Sequence, residues 1–204
     1  MTEVIGCVLA GGLARRMGGG DKGLIRLGGR LVLDHVLDRL EPQVSQIILN
    51  ANGDAGRFDA YGLPVVPDSV EGFAGPLAGV LAGLEWARAN TGAGWVATAA
   101  TDTPFFPTDF VARMQAAIET EGADMACAAS NGRRHPVFGL WPVRLADDLR
   151  HALVDDDIHK VDIWTARHKL VAVEFACDPH DPFFNVNRPE DVEEAGRIAA
   201  EIAA

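Results

Sequence analysis

Cysteine is scarce in this chain of 204 residues: Cys7, Cys127 and Cys177 are scattered, odd in number and never in C-x-x-C spacing. That excludes a small domain stapled by disulfides and argues against a structural zinc site. Positive charge is also short. Eighteen Lys and Arg stand against 29 Asp and Glu, a formal net charge of −11. Such a balance gives no general attraction for a polyanion, so neither nucleic acid nor an anionic membrane surface is an expected partner. A phosphate-bearing ligand would need a local basic cluster or a metal ion. No run of about 18 uncharged apolar residues exists, so nothing in the sequence spans a membrane. Residues 1–9 lack the positive n-region and unbroken apolar core of a signal peptide, which makes a cytoplasmic location the expectation. Repeats and low-complexity linkers are absent as well. What is present is 48% hydrophobic and 23% charged, enough apolar material for one sizeable core and unlike a disordered chain. One domain covering residues 1–204 is expected.

Apolar runs alternate with helical periodicity along the chain. Val4–Leu9 is a short strand ending at glycine-rich sequence. Leu33, Val36, Leu37 and Leu40 mark a helix stopped by Pro42, and 46–49 the next strand. Val65-Val66 is a brief extended piece between prolines, and Leu77, Val80, Leu81 and Leu84 repeat the helical spacing behind Pro76. The small apolar stretch 95–101 reads as a central strand ending at Asp102. Phe110, Met114, Ala117 and Ile118 mark another helix. Strands are predicted over 123–129, 136–141 and 170–175. The second of these is expected at a sheet edge, because it begins with a proline that cannot donate to a neighbour. A closing helix over 192–202 is opened by Pro189 and four acidic residues. This alternation predicts a three-layer α/β/α domain with a mostly parallel, Rossmann-like sheet. Ligands of such sheets bind beyond the carboxyl ends of the strands. The residues of interest are therefore the loop 10–23, Asn50, Asp68, Asp102, and Asn185 with Asn187.

The loop 10–23 holds six glycines with Arg15, Arg16, Asp21 and Lys22. Glycines let the backbone approach a ligand and offer successive N–H groups to anionic oxygens, and the cations add positive charge in an otherwise acidic protein. This is the composition of a polyphosphate cradle. Gly18 to Gly23 formally match G-x-G-x-x-G, but they begin nine residues past the first strand, where the dinucleotide fingerprint has no mechanical meaning. No lysine is preceded by glycine and followed by Ser or Thr, which excludes a Walker A loop. Arg15, Arg16 and Lys22 all add positive charge to this loop; an arginine can grip two phosphate oxygens through its fork, and a lysine acts as a point charge. Asp102, a hard carboxylate at a strand exit, suits a Mg²⁺ ion shared with phosphate oxygens; capping of the next turn is the competing role. Gly75 either passes close to a ligand or forms the turn before its helix. Asn185 and Asn187 flank Val186, so in extended chain their amides point the same way. His135 joins either an acceptor site or the ordinary surface. The tract 155–160 could mimic a metal site and is better read as a solvated acidic turn.

Leu9-Ala10-Gly11-Gly12, Arg15-Arg16-Met17-Gly18 and Asp21-Lys22-Gly23, followed in order by I-I-L-N-A-N, P-D-S, G-P-L-A-G, T-D-T-P, R-H-P-V and F-N-V-N-R-P-E, resemble the nucleotidyltransferases that act on sugars and pterins. Within them the doubled glycine and the D-K-G sequence look like the molybdenum cofactor guanylyltransferases. The likeness spans roughly residues 4–193; only Leu13 and Gly20 depart from the pattern, and neither removes a charged site residue. It implies the nucleotidyltransferase type of sheet and transfer of GMP from GTP to the terminal phosphate of molybdopterin, with release of pyrophosphate and Mg²⁺ as cofactor. It further implies catalytic roles for Arg16, Lys22 and Asp102, with Asp102 on the metal. Nucleotide contacts would come from Leu9, Ala10, Gly11, Gly12, Lys22, Asn50, Asp68, Gly75 and Asp102, and acceptor contacts from Asn185 and Asn187. Transient contacts with other proteins of cofactor synthesis follow from the same resemblance. The alternatives are a relative using CTP or a sugar-phosphate acceptor, and a non-catalytic GTP-binding protein that delivers cofactor.

Overall fold

The computed structural model describes residues 3–11, 22–70, 72 and 75–202. In chain order the strands and helices are β1 (Val4–Leu9), a two-residue hairpin of β2 (Arg26–Leu27) and β3 (Arg30–Leu31), α1 (Val32–Leu40), β4 (Gln46–Asn50), β5 (Val65–Val66) and α2 (Pro76–Asn90). There follow β6 (Trp95–Ala100), α3 (Phe110–Glu121), β7 (Met125–Ser130), β8 (Arg133–Pro142), α4 (Ala146–Val154), α5 (Val161–Thr165), β9 (Leu170–Phe175) and α6 (Pro189–Ile202). Seven strands form one sheet in the order β5-β4-β1-β6-β8-β7-β9. Neighbours pair in parallel except at β8, which runs antiparallel to both β6 and β7. The mostly parallel sheet is as expected.

Helices cover both faces. On one, Leu33, Val36 and Leu40 of α1 and Phe110, Met114 and Ile118 of α3 bury against Val8, Leu49, Ala97 and Leu140. On the other, Leu77, Val80, Leu81 and Leu84 of α2, Leu149 and Leu153 of α4 and Trp164 of α5 meet Ile5, Cys7, Ile48, Val96 and Trp141. A fully buried aliphatic or aromatic side chain contributes roughly 1.5–3 kcal/mol, so these two layers dominate the stability of the fold. The third cluster is smaller: Ala195 and Ile198 of α6 cover Leu27 of the hairpin and Val186. The central helix α2 is buried nearly all round, and glycine makes that possible. A Cβ on Gly79 would lie 2.4 Å from Asn50 Oδ1 and 2.8 Å from Leu9 Cδ2, and one on Gly83 would meet Cys7.

One expectation is corrected. The strand containing Pro136 lies inside the sheet, between β6 and β7, and it begins at Arg133. Pairing with β7 shifts register after Cys127: Cys127 faces Gly139 while Ala128 faces His135. Pro136 falls in that irregular stretch, and on the β6 side pairing starts only at Gly139. The missing N–H is therefore not demanded by either neighbour, as is usual where proline sits at a bulge. The sequence reading also passed over α4 and α5, whose apolar positions are few and interleaved with charge.

Candidate active site

The carboxyl ends of β1, β4 and β6 open on a cavity of about 860 Å³. Its lining includes Leu9, Gly11, Asn50, Asn52, Asp68, Gly75, Asp102 and Asn185, together with Arg133, Arg134, His135 and Phe183. From strand exits the sequence placed Gly11, Asn50, Asp68, Asp102 and Asn185 at one edge, and the resemblance added Leu9 and Gly75; all seven line this one space. Ala10 is buried beside it, its N–H donated to Asn50 O at 2.8 Å, which ties the exit of β1 to that of β4. Gly12 and Arg16 lie outside the described residues. So does the rest of the glycine loop up to Asp21, and of Lys22 only the backbone is described, at the start of the 3-10 turn Lys22–Leu24. The next residue, Gly23, is buried with its Cα side against Thr101, a Cβ there falling 3.1 Å from Thr101 Cβ. The chain thus leaves the glycine loop directly beside the exit of β6.

Two hydrogen-bonded groups furnish the cavity. At β4, Asn50 is 5% exposed and donates both amide N–H groups, to Val66 O at 3.1 Å and to Asp68 Oδ1 at 2.9 Å. Asn52 donates to the other Asp68 oxygen at 2.8 Å and accepts the Asp68 backbone N–H at 2.9 Å. Asp68 is therefore a carboxylate fixed in position, with lone pairs remaining on both oxygens. Asn50 acts on it rather than offering donors of its own. Asn52 was not singled out from the sequence; the signal was there, since in extended chain it projects from the same side as Asn50.

At β6, Asp102 Oδ1 accepts from Asn185 Nδ2 at 3.1 Å and from Thr103 Oγ1 at 3.2 Å, and Asn185 also donates to Thr103 Oγ1 at 2.8 Å. The Asp102 carbonyl accepts the Val186 N–H at 2.7 Å. The segment before α6 is thereby pinned to the strand exit. Asn187 takes a different place. It does not line the cavity, and its backbone N–H, like that of Arg188, donates to Asp191 Oδ2 at 2.8 Å in the cap of α6.

A single carboxylate suits Mg²⁺, which keeps several waters and takes phosphate oxygens rather than an all-protein cage. Among the described residues no three His, Cys, Asp or Glu side chains gather as a cation site of their own. The tract 155–160 is a surface turn: Asp155 meets His151 at 2.6 Å and Asp156 meets Arg167 at 2.7 Å. Nor is a thiol available as a nucleophile here, because Cys7 is buried and burial pushes it up to about 12.

The wall facing Asp68 comes from the start of β8. Because that strand runs backwards, its first residues lie at the same edge as the ends of the others. His135 stacks on Phe183, with ring centroids 4.5 Å apart and planes 24° from parallel. Its Nε2 lies 2.7 Å from Ser130 Oγ, which in turn donates to Asp181 Oδ1 at 2.8 Å. Asp181 Oδ1 also accepts the Phe183 N–H at 2.9 Å, so one carboxylate holds both sides of the stack. Desolvation pushes the His135 imidazole below its usual pKa, against the nearby Asp181 charge, which favours the neutral ring.

A glycine-rich, cation-bearing loop after β1, with a fixed carboxylate at the exit of β6 of a mostly parallel sheet, defines the class of α/β nucleotidyltransferases. The comparisons narrow it. Residues 6–170 match the MobA-like NTP transferase domain family, and the chain belongs to that family. It is 58% identical over 200 residues to the molybdenum cofactor guanylyltransferase of Bradyrhizobium sp. (strain ORS 278), covering 98% of this chain and 94% of that protein. It is 39% identical over 199 residues to the protein of the same name from Shewanella halifaxensis, covering 98% and 96%. Among solved structures, molybdopterin-guanine dinucleotide biosynthesis protein A from Archaeoglobus fulgidus superposes with a TM-score of 0.75 at 23% identity, over 97% of this chain and 99% of that one. The fold extends further: a CMP:2-keto-3-deoxy-manno-octonic acid synthetase complexed with CTP gives 0.73 at 12% identity, over 98% and 100%.

Proposed function

We propose that this protein transfers GMP from GTP to the terminal phosphate of molybdopterin, forming the guanine dinucleotide form of the molybdenum cofactor. The observation that carries the reading is near-full-length identity of 58% to a molybdenum cofactor guanylyltransferase, with Asp102 and Asn185 hydrogen-bonded to each other in the lining of the cavity. In the reaction an oxygen of the acceptor phosphate attacks the α-phosphorus in line. The new P–O bond forms as the bond to the β-phosphate breaks, and pyrophosphate leaves with the electron pair. No covalent enzyme intermediate is required; the work is alignment and neutralisation of charge.

The residues divide that work by position. Leu9, Ala10, Gly11 and Gly12 supply backbone groups to nucleotide and phosphates, and Asp68, aimed by Asn50 and Asn52, accepts from N–H or O–H groups of the nucleoside beside Gly75. Arg16 and Lys22 neutralise the triphosphate. Asp102 would hold Mg²⁺, which when bound offsets phosphate charge at the reacting centre. Asn185 fixes the Asp102 carboxylate on the side where the acceptor phosphate must arrive, and Asn187 serves the acceptor through the segment it shares with Asn185. All 204 residues would act as one cytoplasmic domain, handing a labile product to other proteins of cofactor synthesis; among the described residues no helix is long and apolar enough to cross a membrane.

Calorimetric titration with GTP, CTP, ATP and UTP, each with and without Mg²⁺, tests the reading. GTP should bind at least about tenfold more tightly than the others, a difference of ~1.4 kcal/mol, and Mg²⁺ should strengthen it. Preference for CTP would transfer the assignment to a cytidylyl relative, and absence of nucleotide binding would overturn the site.

A further inference from the structure

The start of β8 carries groups that the nucleotide half of the site does not use. Arg133 and Arg134 line the cavity and are exposed, and among the described residues neither side chain has a hydrogen bond or an ion pair. Arg30, Arg88, Arg144, Arg150, Arg167 and Arg197 by contrast meet carboxylates, and Arg26, Arg39, Arg57 and Arg113 donate to backbone carbonyls. A cation left unpaired in a protein of net charge −11 is placed for an anion from outside. Arg133 pairs across the ladder with Ser130 and His135 with Ala128, so the two side chains project from the same face of β8.

His135 is partly buried and held by the Phe183 stack and by Ser130. Ser130 Oγ has one hydrogen and gives it to Asp181, so it can only accept from His135, which must carry its proton on Nε2. In the neutral ring Nδ1 is then a bare acceptor. No described group donates to it, and no buried side-chain nitrogen or oxygen among the described residues lacks a partner, so Nδ1 reaches solvent. The ring it belongs to lines the cavity and is backed by buried Phe183.

Sheet order gives the wall its role. β1, β4 and β5 lie on one side of β6 and β8 lies on the other, with Asp102 at the exit of β6 between them. In-line transfer puts incoming and leaving oxygens on opposite sides of the α-phosphorus, so with the nucleotide over β1 and β4 the acceptor approaches over β8. We propose that the start of β8 is the acceptor subsite: Arg133 takes an anionic group of the incoming molecule, and His135 Nδ1 accepts a hydrogen bond from an N–H of its nitrogen heterocycle. Ser130 and Asp181 are positioning residues that fix the tautomer. The proposal rests on the transfer reading above and adds to it the surface and the chemistry that select the acceptor.

Arg133→Ala and His135→Gln are compared with wild type by pyrophosphate release, with molybdopterin and GTP varied in turn, and by calorimetry with GTP alone. Loss of one charged or buried polar partner should raise the KM for molybdopterin about tenfold or more in each variant, while the Kd for GTP stays within about twofold. The Arg133 side chain is exposed and without partners, so its removal leaves the fold intact even if His135→Gln destabilises it. In wild-type protein with ¹⁵N-labelled histidine, molybdopterin should move the His135 Nδ1 resonance, and Ser130→Ala should mix the tautomers. An unchanged molybdopterin KM in Arg133→Ala, or an equal loss for GTP and molybdopterin, would overturn the subsite while leaving the transfer reading standing. Wild-type protein that transfers nothing from GTP would sink both.

Discussion

At the scale of single residues, the site depends on side chains that aim other side chains. Asp68 is held on both oxygens by amides, and Asn52 supplies one of those bonds and receives the Asp68 N–H as well. Removing Asn52 frees the carboxylate to rotate and leaves the backbone N–H to water. With about 1 kcal/mol for such a partly exposed bond, Asn52→Ala should weaken GTP binding about fivefold, read by calorimetry, with the fold unchanged. An unaltered Kd would show that Asp68 needs no orientation or does not face the nucleotide. Asp102 was legible in sequence because it follows the end of β6, whereas Asn185 lies well past the end of β9 and was found from its motif and its spacing to Asn187. Asn187 was read with Asn185 from the spacing of extended chain, and its backbone N–H is given to Asp191 at the start of α6.

At the scale of elements, the close approach of α2 to the sheet fixes the packing behind Asn50 and Leu9. Gly79 sits against Asn50 and Leu9, both at strand exits lining the cavity. A methyl group there, 2.4 Å from Asn50 Oδ1, must push either the helix or the amide. Gly79→Ala should therefore cost about 1–3 kcal/mol in urea unfolding despite alanine's better helix propensity, and should weaken GTP binding in parallel. A stabilised variant with normal binding would contradict the packing described. The parallel half of the sheet could be read from its apolar runs, but the place of β8 could not. Proline signals an edge only where the ladder demands its N–H, and the register shift after Cys127 removes that demand. The same reversal put Arg133, Arg134 and His135 outside the strand exits. A search for strand exits finds Asn50, Asp68 and Asp102, whereas Arg133 and His135 stand at the beginning of a strand.

At the scale of the whole molecule, a chain with 11 more acidic than basic groups carries Arg133 and Arg134 on the cavity wall made by β8. In sequence Arg16 and Lys22 follow β1, within the glycine-rich stretch read as the phosphate cradle. In the proposed transfer, repulsion by the remaining surface would make phosphate binding depend on those few groups and on the metal, so selectivity for substrate need not rest on overall charge. The most direct measurement is single-turnover transfer from GTP labelled in its α-phosphate to molybdopterin, by wild-type protein and by Asp102→Ala. Wild type should release one pyrophosphate for each labelled dinucleotide formed. The variant should keep its unfolding midpoint and lose rate about a hundredfold or more, as befits several kcal/mol of charge stabilisation at the reacting phosphate. GTP bound without transfer by the wild type, or transfer undiminished in Asp102→Ala, would contradict the central claim.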